Sequence, residues 1–287
     1  MIELISEDKI NSTEYLRIQM EFHHLWNRLY LKRNEIDKLL YGKLWPFTKL
    51  LPKIVSRKFE GYKLNSDLIL SSNQLWAIRE WEYPWAILNS EISKETKILD
   101  VGSGWSLFPL YLATISDQIT SIDISEKQMN TYSPFLANLL GKTVNYEVGD
   151  ALNLRYTDNS FDFVYCISVL EHLEEETNKN GERVNYHRKK LDRIAIREFL
   201  RVIKPGGNVI LTFDYGTKNT DKRSFKFDYL ADLLKEFNNN LLVPITDYEG
   251  IVFTKEKENL MKKLWKIRFP YSETRPPYGV VGIISTK

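Results

Sequence analysis

Gly102-Ser103-Gly104 and Asp123 have the types and spacing of a nucleoside site. Glycine at both positions lets the backbone turn sharply and approach a ligand closely. Asp123 stands 19 positions beyond Gly104, the separation at which an acid accepts hydrogen bonds from ribose hydroxyls. A second acid, Asp100, lies just ahead of the turn. Farther along, His172 carries an imidazole suited to proton transfer near neutrality. Asp214 and Tyr215 have the groups to hold or deprotonate a hydroxyl.

These residues need a scaffold that brings them together. Ile98 to Val101 reads as a buried parallel strand that ends at the glycine turn, with a helix-like segment from Ser106. A ligand there sits at a strand's carboxyl end and beside a helix N-terminus, where open α/β sheets bind nucleotides. Residues 119–124 predict a second strand, Asn145 to Val148 a third, and Phe161 to Ile167 a fourth that leads into Ser168-Val169-Leu170-Glu171-His172-Leu173. A helix follows from about Val184 to Ile203, with Leu191, Ala195, Phe199 and Val202 as its apolar stripe. His187 continues that stripe and either faces the pocket or is an ordinary core or surface histidine. Lys204-Pro205-Gly206-Gly207 then introduces a fifth strand, Asn208 to Phe213, and Gly279 to Ser285 is the last. Strands alternating with helices imply a parallel sheet covered on both faces. Residues 1 to about 90 differ: they are helix-patterned, aromatic and partly basic, with breaks at Pro46, Pro52 and Pro84.

This order of motifs, Asp-Val-Gly-Ser-Gly, Gly-Asp-Ala, Val-Leu-Glu-His-Leu and Ile-Lys-Pro-Gly-Gly, resembles the small-molecule branch of the class I S-adenosylmethionine-dependent methyltransferases over about residues 95–215. The resemblance implies an α/β, Rossmann-like, doubly wound seven-stranded sheet with its last strand antiparallel. It also implies an N-terminal helical cap and substrate region over 1–90 and an S-adenosylmethionine-binding domain over 91–287. Asp123 and Ile124 are then expected at the ribose, Asp150 and Ala151 at the adenine, and Gly102, Ser103 and Gly104 along the turn. Asp100 is expected to reach the cofactor amino group or to brace the loop, and Ser168 to touch the methionyl portion. Arg79 is expected to pair with the cofactor carboxylate, with Tyr83, Trp85 and Tyr215 walling the acceptor. One departure is Ser106, which stands where the family has its third glycine.

Methyl transfer is an in-line displacement at an activated carbon, so the protein supplies alignment and water exclusion. A hydroxyl acceptor also needs a base, and His172, Asp214 and His187 are the candidates. An amine acceptor needs less help, so N-methylation is the nearest alternative. Family members that use a metal place an Asp at the end of the fourth strand. Here Cys166-Ile167-Ser168 ends it, and no metal is expected. A nicotinamide oxidoreductase would share the first turn, but Leu107 stands where its third glycine belongs. A non-catalytic protein of the same fold that scaffolds a partner is the alternative outside enzymes.

Composition narrows the partners. The 287 residues carry a net charge of +2 and are 43% hydrophobic, which gives a core of ordinary size and no strong pull on nucleic acid. The single cysteine, Cys166, excludes an intramolecular disulfide. No run approaches the ~20 apolar residues of a membrane span, and the first residues lack a secretory pattern. A soluble, cytoplasmic protein is expected, and the resemblance implies a small-molecule acceptor and no nucleic acid. Residues 38–63 interleave lysines with Trp45, Phe47, Phe59 and Tyr62. Such a stretch is a solvated helical face, or it rests on an anionic membrane surface or grips a phosphorylated substrate; a glycan or lipid-linked acceptor would suit the latter. The polar stretch 174–183 is a lid or a plain loop. Arg275-Pro276-Pro277-Tyr278 resembles a nitrogen-holding motif of nucleic-acid methyltransferases but lies far from the fourth strand, and reads as a turn.

Overall fold

The protein's structure, a computed structural model, describes residues 2–4, 7–41, 79–173, 188–215, 233–240 and 279–287. The strand β5 (Phe161–Ile167) shows how the sheet is built. Phe163, Tyr165 and Ile167 pack into one apolar cluster and Val164 and Cys166 into another. Alternation with both faces apolar is the pattern of a strand covered on two sides. The same alternation runs through β2 (Lys97–Val101), where Ile98 joins the first cluster and Leu99 and Asp100's neighbour Val101 join the second.

The remaining strands are β1 (Ile2–Leu4), β3 (Gln118–Asp123), β4 (Asn145–Val148), β6 (Ile203–Tyr215) and β7 (Gly279–Thr286). Their order is β1-β7-β6-β5-β2-β3-β4. Strands β2 to β6 run parallel, β7 is antiparallel to β6, and β1 is antiparallel to β7. This is a Rossmann-like mixed sheet whose last strand is antiparallel. From β2 the chain proceeds outward through β3 and β4, then returns to the other side of β2 as β5. The crevice between the carboxyl ends of β2 and β5 is therefore a topological switch point, where open α/β sheets take their ligands.

Two details depart from the sequence expectation. The edge strand β1 comes from the N-terminal segment, where helix alone was expected. It continues the sheet beyond β7, with Ile2 opposite Ile283. The fifth core strand starts at Ile203, not Asn208, because Lys204-Pro205-Gly206-Gly207 is an irregularity within the strand and not a segment ahead of it. Phe161 pairs with Ile203 and Phe163 with Asn208, so four residues of β6 span one of β5. Asp162, the residue spanned, accepts from Lys204 Nζ at 2.7 Å and from Lys97 N at 2.8 Å.

Helices α1 (Glu7–Ile10), α2 (Thr13–Leu31), α3 (Arg33–Tyr41), α4 (Arg79–Leu88), α5 (Phe108–Leu112), α6 (Ser133–Leu140) and α7 (Arg188–Val202) complete the layers. Ile18, Phe22 and Leu25 of α2, Trp81 and Trp85 of α4 and residues of α5 and α6 share one cluster with the first sheet face. Ala195, Ile196, Phe199 and Val202 of α7 cover the second face. The buried stripe on α7 also takes in Asp192, while Leu191 is only half-buried. No helix of the described residues is long and apolar enough to cross a membrane.

Pro84 does not break the chain as expected; it sits inside α4. Proline has no N–H for the carbonyl four residues earlier. That carbonyl, Glu80 O, accepts instead from Gln19 Nε2 of α2 at 2.8 Å. Gln19 is buried and also donates to Ile10 O at 3.1 Å. A neighbouring helix thus supplies the hydrogen bond that proline removes. Pro46, Pro52, the stretches 42–63 and 174–183, and 275–278 lie outside the described residues.

Candidate active site

At Val101 the chain must leave the sheet at once. Gly102 and Gly104 allow it with φ of 73° and 52°, the left-handed region where a side chain is strained. A Cβ on Gly102 would also lie 2.5 Å from Val169, so the turn after β2 packs directly on the segment after β5. Gly104 N donates to Asp123 Oδ2 at 3.0 Å, and Asp123 Oδ1 accepts from Ser125 N at 2.9 Å. The acid at the end of β3 is held beside the glycine turn. Each carboxylate oxygen has two acceptor sites, so both keep capacity for a ligand hydroxyl.

A cavity of about 200 Å³ opens on the turn at the switch point. Its walls are Asp100 to Ser106 and Phe108 from the β2 side, Ile167 and Ser168 from the end of β5, and Arg79 and Tyr83 from α4. Asp100 is buried and accepts from Ser121 Oγ at 3.1 Å. Burial pushes its carboxyl up to about 7 despite that bond, and the charge of Asp123 adds to the rise.

Helix α4 presents three polar residues to this wall. Glu82 is fully buried, and its Oε1 accepts from Ser168 Oγ and from Thr212 Oγ1, each at 2.6 Å. Its Oε2 accepts from Arg79, which forms an ion pair with it. Burial works against the Arg79 charge, but Glu82, Tyr83 and Glu171 outweigh it and hold the guanidinium more firmly protonated than usual. Tyr83 hydroxyl lies 3.0 Å from Ser106 Oγ, which also accepts from Phe108 N at 2.8 Å. The serine in the third-glycine position therefore starts α5 and ties α4 to the turn. Ser168 has φ of 51°, an uncommon conformation for a residue with a side chain.

Two buried polar atoms beside the turn have no hydrogen-bond partner among the described residues: Ser103 Oγ and Gln128 Nε2. Gln128 opens a π-helical turn, Gln128–Tyr132, and its Nε2 lies 3.9 Å from where a Cβ on Gly104 would sit. Buried polar groups rarely go unpaired, so both keep hydrogen-bonding capacity beside the turn.

Known proteins resemble this chain in sequence over the same region. A family described as "Methyltransferase domain" matches residues 99–211. The chain is 28% identical over 184 residues to 27-O-demethylrifamycin SV methyltransferase of Amycolatopsis mediterranei, covering 57% of this chain and 59% of that one. It is 28% identical over 158 residues to norajmaline N-methyltransferase of Rauvolfia serpentina, covering 54% and 48%. With demethylmenaquinone methyltransferase of Staphylococcus aureus it is 26% identical over 159 residues, covering 54% and 55%. The chain thus spans about half the length of these relatives. Residues 99–211 are similar to a methyltransferase domain. The cofactor of that family is S-adenosylmethionine, and Ser103 Oγ, Gln128 Nε2 and the open side of Gly104 are the features here that fit it.

The predicted residues divide into two groups. Asp100, Gly102, Ser103, Gly104, Ser168, Arg79 and Tyr83 line the cavity; Asp123, Ile124, Asp150, Ala151, His172 and Trp85 do not. Ile124 is 76% exposed. Asp150 is exposed and spends Oδ1 on Leu152 N at 2.8 Å, while Ala151 is buried among the second-face residues. Trp85 is 0% exposed and packs where a Cβ on Gly282 would lie 2.5 Å from its ring. It belongs to the core and no acceptor reaches it. His172 ends a short 3₁₀ turn, Leu170–His172, whose first two residues point inward. Glu171 is buried there and His172 is exposed. Asp214 and Tyr215 end β6 with backbone paired to Val280 and Gly279; their side chains and His187 lie outside the described residues.

The sequence reasoning missed Glu82, Thr212 and Gln128. Glu82 had a legible signal, since it lies three residues from Arg79 on a predicted helix. Nothing local announces a π-helical turn at Gln128.

Proposed function

We propose that this protein transfers the methyl group of S-adenosylmethionine to a small-molecule acceptor. The observation that carries this reading is that an acid, Asp100, and a guanidinium, Arg79, line one cavity beside the glycine turn. Those charges suit the ammonium and carboxylate of an amino-acid end. Asp123 is outside the cavity lining but bonded to Gly104 N of the turn, on the side suited to a ribose. Asp150 and Ala151 stand at the end of β4 for the adenine, and Ile124 is an exposed apolar surface beside it.

When bound, S-adenosylmethionine supplies a methyl carbon already activated by positive sulfur. Arg79, Asp100 and Ser168 then fix one end and Asp123 the other, which aligns that carbon. Tyr83, tied to Ser106, closes the wall against water. An oxygen acceptor must lose its proton, and His172 and Asp214 stand on the carboxyl edge after β5 and at the end of β6 for that step. A hydroxyl on a sugar or related metabolite is the finer acceptor class we put forward, supported by the aromatic and basic residues of 38–63. A nitrogen acceptor is the second reading. The observation favouring it is that Asp100 is the one carboxylate among the cavity-lining residues, and it is already engaged by Ser121.

Titration calorimetry with S-adenosylhomocysteine tests the cofactor assignment: micromolar binding is expected, and absence of binding defeats it. A screen of acceptors with methyl-labelled cofactor then identifies the methylated group. Alanine at both His172 and Asp214 should remove most turnover with a hydroxyl acceptor and spare it with an amine.

A further inference from the structure

The buried polar groups around the cavity include one carboxylate that the chemistry above does not use. Glu82 comes from α4, outside the segment 99–211 that matches known methyltransferases. It is 0% exposed and touches no cavity space itself. Yet its two oxygens take three donors, and two of these belong to cavity residues: Arg79 and Ser168. The third, Thr212, lies in β6. A buried carboxylate is costly unless each acceptor site is met, and here the donors come from three separate elements. Two of them would be poorly fixed without it. Arg79 is a long side chain that is 27% exposed at the cavity mouth. Ser168 has its backbone in the left-handed region, a conformation that persists only where surrounding contacts over-determine it.

We infer that Glu82 is a positioning residue for the amino-acid end of the cofactor: it aims the Arg79 guanidinium and pins Ser168 at the mouth of β5. The inference rests on the methyltransferase reading. It makes the amino-acid subsite a joint product of the N-terminal helix and the sheet, while the nucleoside subsite draws no residue from that helix. Losing the Glu82 charge therefore harms one end of the ligand and not the other.

Two ligands separate the ends. S-adenosylhomocysteine carries the amino acid, and 5′-methylthioadenosine has the same nucleoside without it. Calorimetry on the full chain should show Glu82→Gln binding S-adenosylhomocysteine roughly ten- to hundredfold more weakly, with methylthioadenosine affinity within about twofold of the native protein. Ser168→Ala, which leaves no charge uncompensated, should show the same split with a smaller loss. Should Glu82→Gln fail to fold, Thr212→Val decides the matter: it removes a Glu82 donor that does not line the cavity, and the same split with a smaller loss is expected. Equal losses for both ligands, or no loss for S-adenosylhomocysteine, would overturn the inference while leaving the methyltransferase reading intact. A native protein that binds neither ligand overturns both.

Discussion

Asp100 sits between two demands at the residue scale. The cavity wall takes it out of water, which holds its proton on up to about 7, whereas an ammonium ligand favours its charged form. Its folded value is raised above the ordinary 3.8. The stability it allows is therefore greatest below 3.8 and is lost as pH rises through 7. Asp100→Asn should raise the melting temperature more at pH 8 than at pH 5, and calorimetric melts at the two values check it. Binding runs the other way. Affinity of the native protein for S-adenosylhomocysteine should weaken below pH 7 by up to about tenfold per unit, and the Asn variant should lose both the affinity and its pH dependence. Asp123→Ala removes the group that meets Gly104 N and, in our proposal, the ribose. Binding should fall by ~100-fold or more; retention of native affinity would remove Asp123 from the site.

At the scale of elements, α4 does two jobs with two faces. Trp81 and Trp85, four residues apart, stack at 5.2 Å and seal the helix onto the sheet. Arg79 and Tyr83, with the same spacing, face the cavity. The helix keeps this orientation although Pro84 interrupts its hydrogen bonding, because Gln19 covers Glu80 O. Gln19→Leu strands that carbonyl and should cost roughly 1–3 kcal/mol in urea unfolding; a change under 0.5 kcal/mol would show that water replaces the glutamine. The turn after β2 is equally intolerant. Gly102→Ala adds a strained φ and a contact with Val169 at 2.5 Å, and should lower both stability and ligand affinity. The strands of this region were legible in the sequence, since alternating apolar residues such as those of β5 leave few other placements. The two faces of α4 were not. Trp85 and Tyr83 are both aromatic and two residues apart, and nothing local says which one meets solvent space and which meets Gly282. His172 and Glu171 pose the same problem one residue apart: both are polar, and the 3₁₀ turn alone decides which is buried.

For the whole molecule, the division into 1–90 and 91–287 implies two units, yet α2 and α4 share an apolar cluster with the sheet. Phe22 of α2 stacks on Tyr111 at 4.3 Å and on Tyr83 at 5.0 Å, and β1 extends the sheet at its far edge. One cooperative unfolding transition is expected for the full chain, and a fragment beginning at residue 91 should lack a native melt and ligand binding. A folded, ligand-binding fragment would show that the N-terminal helices are an accessory. The amino-acid sequence by itself determined the parallel core strands, the glycine turn and the place of Asp123 at a strand end, because a period of two and a fixed separation along the chain are local quantities. Only the tertiary structure decided that Glu82 and Arg79 meet Ser168, that Trp85 is core and that an N-terminal strand closes the sheet edge. Those outcomes depend on how far one element is rotated against another, and that rotation is set by the packing of surfaces distant in sequence.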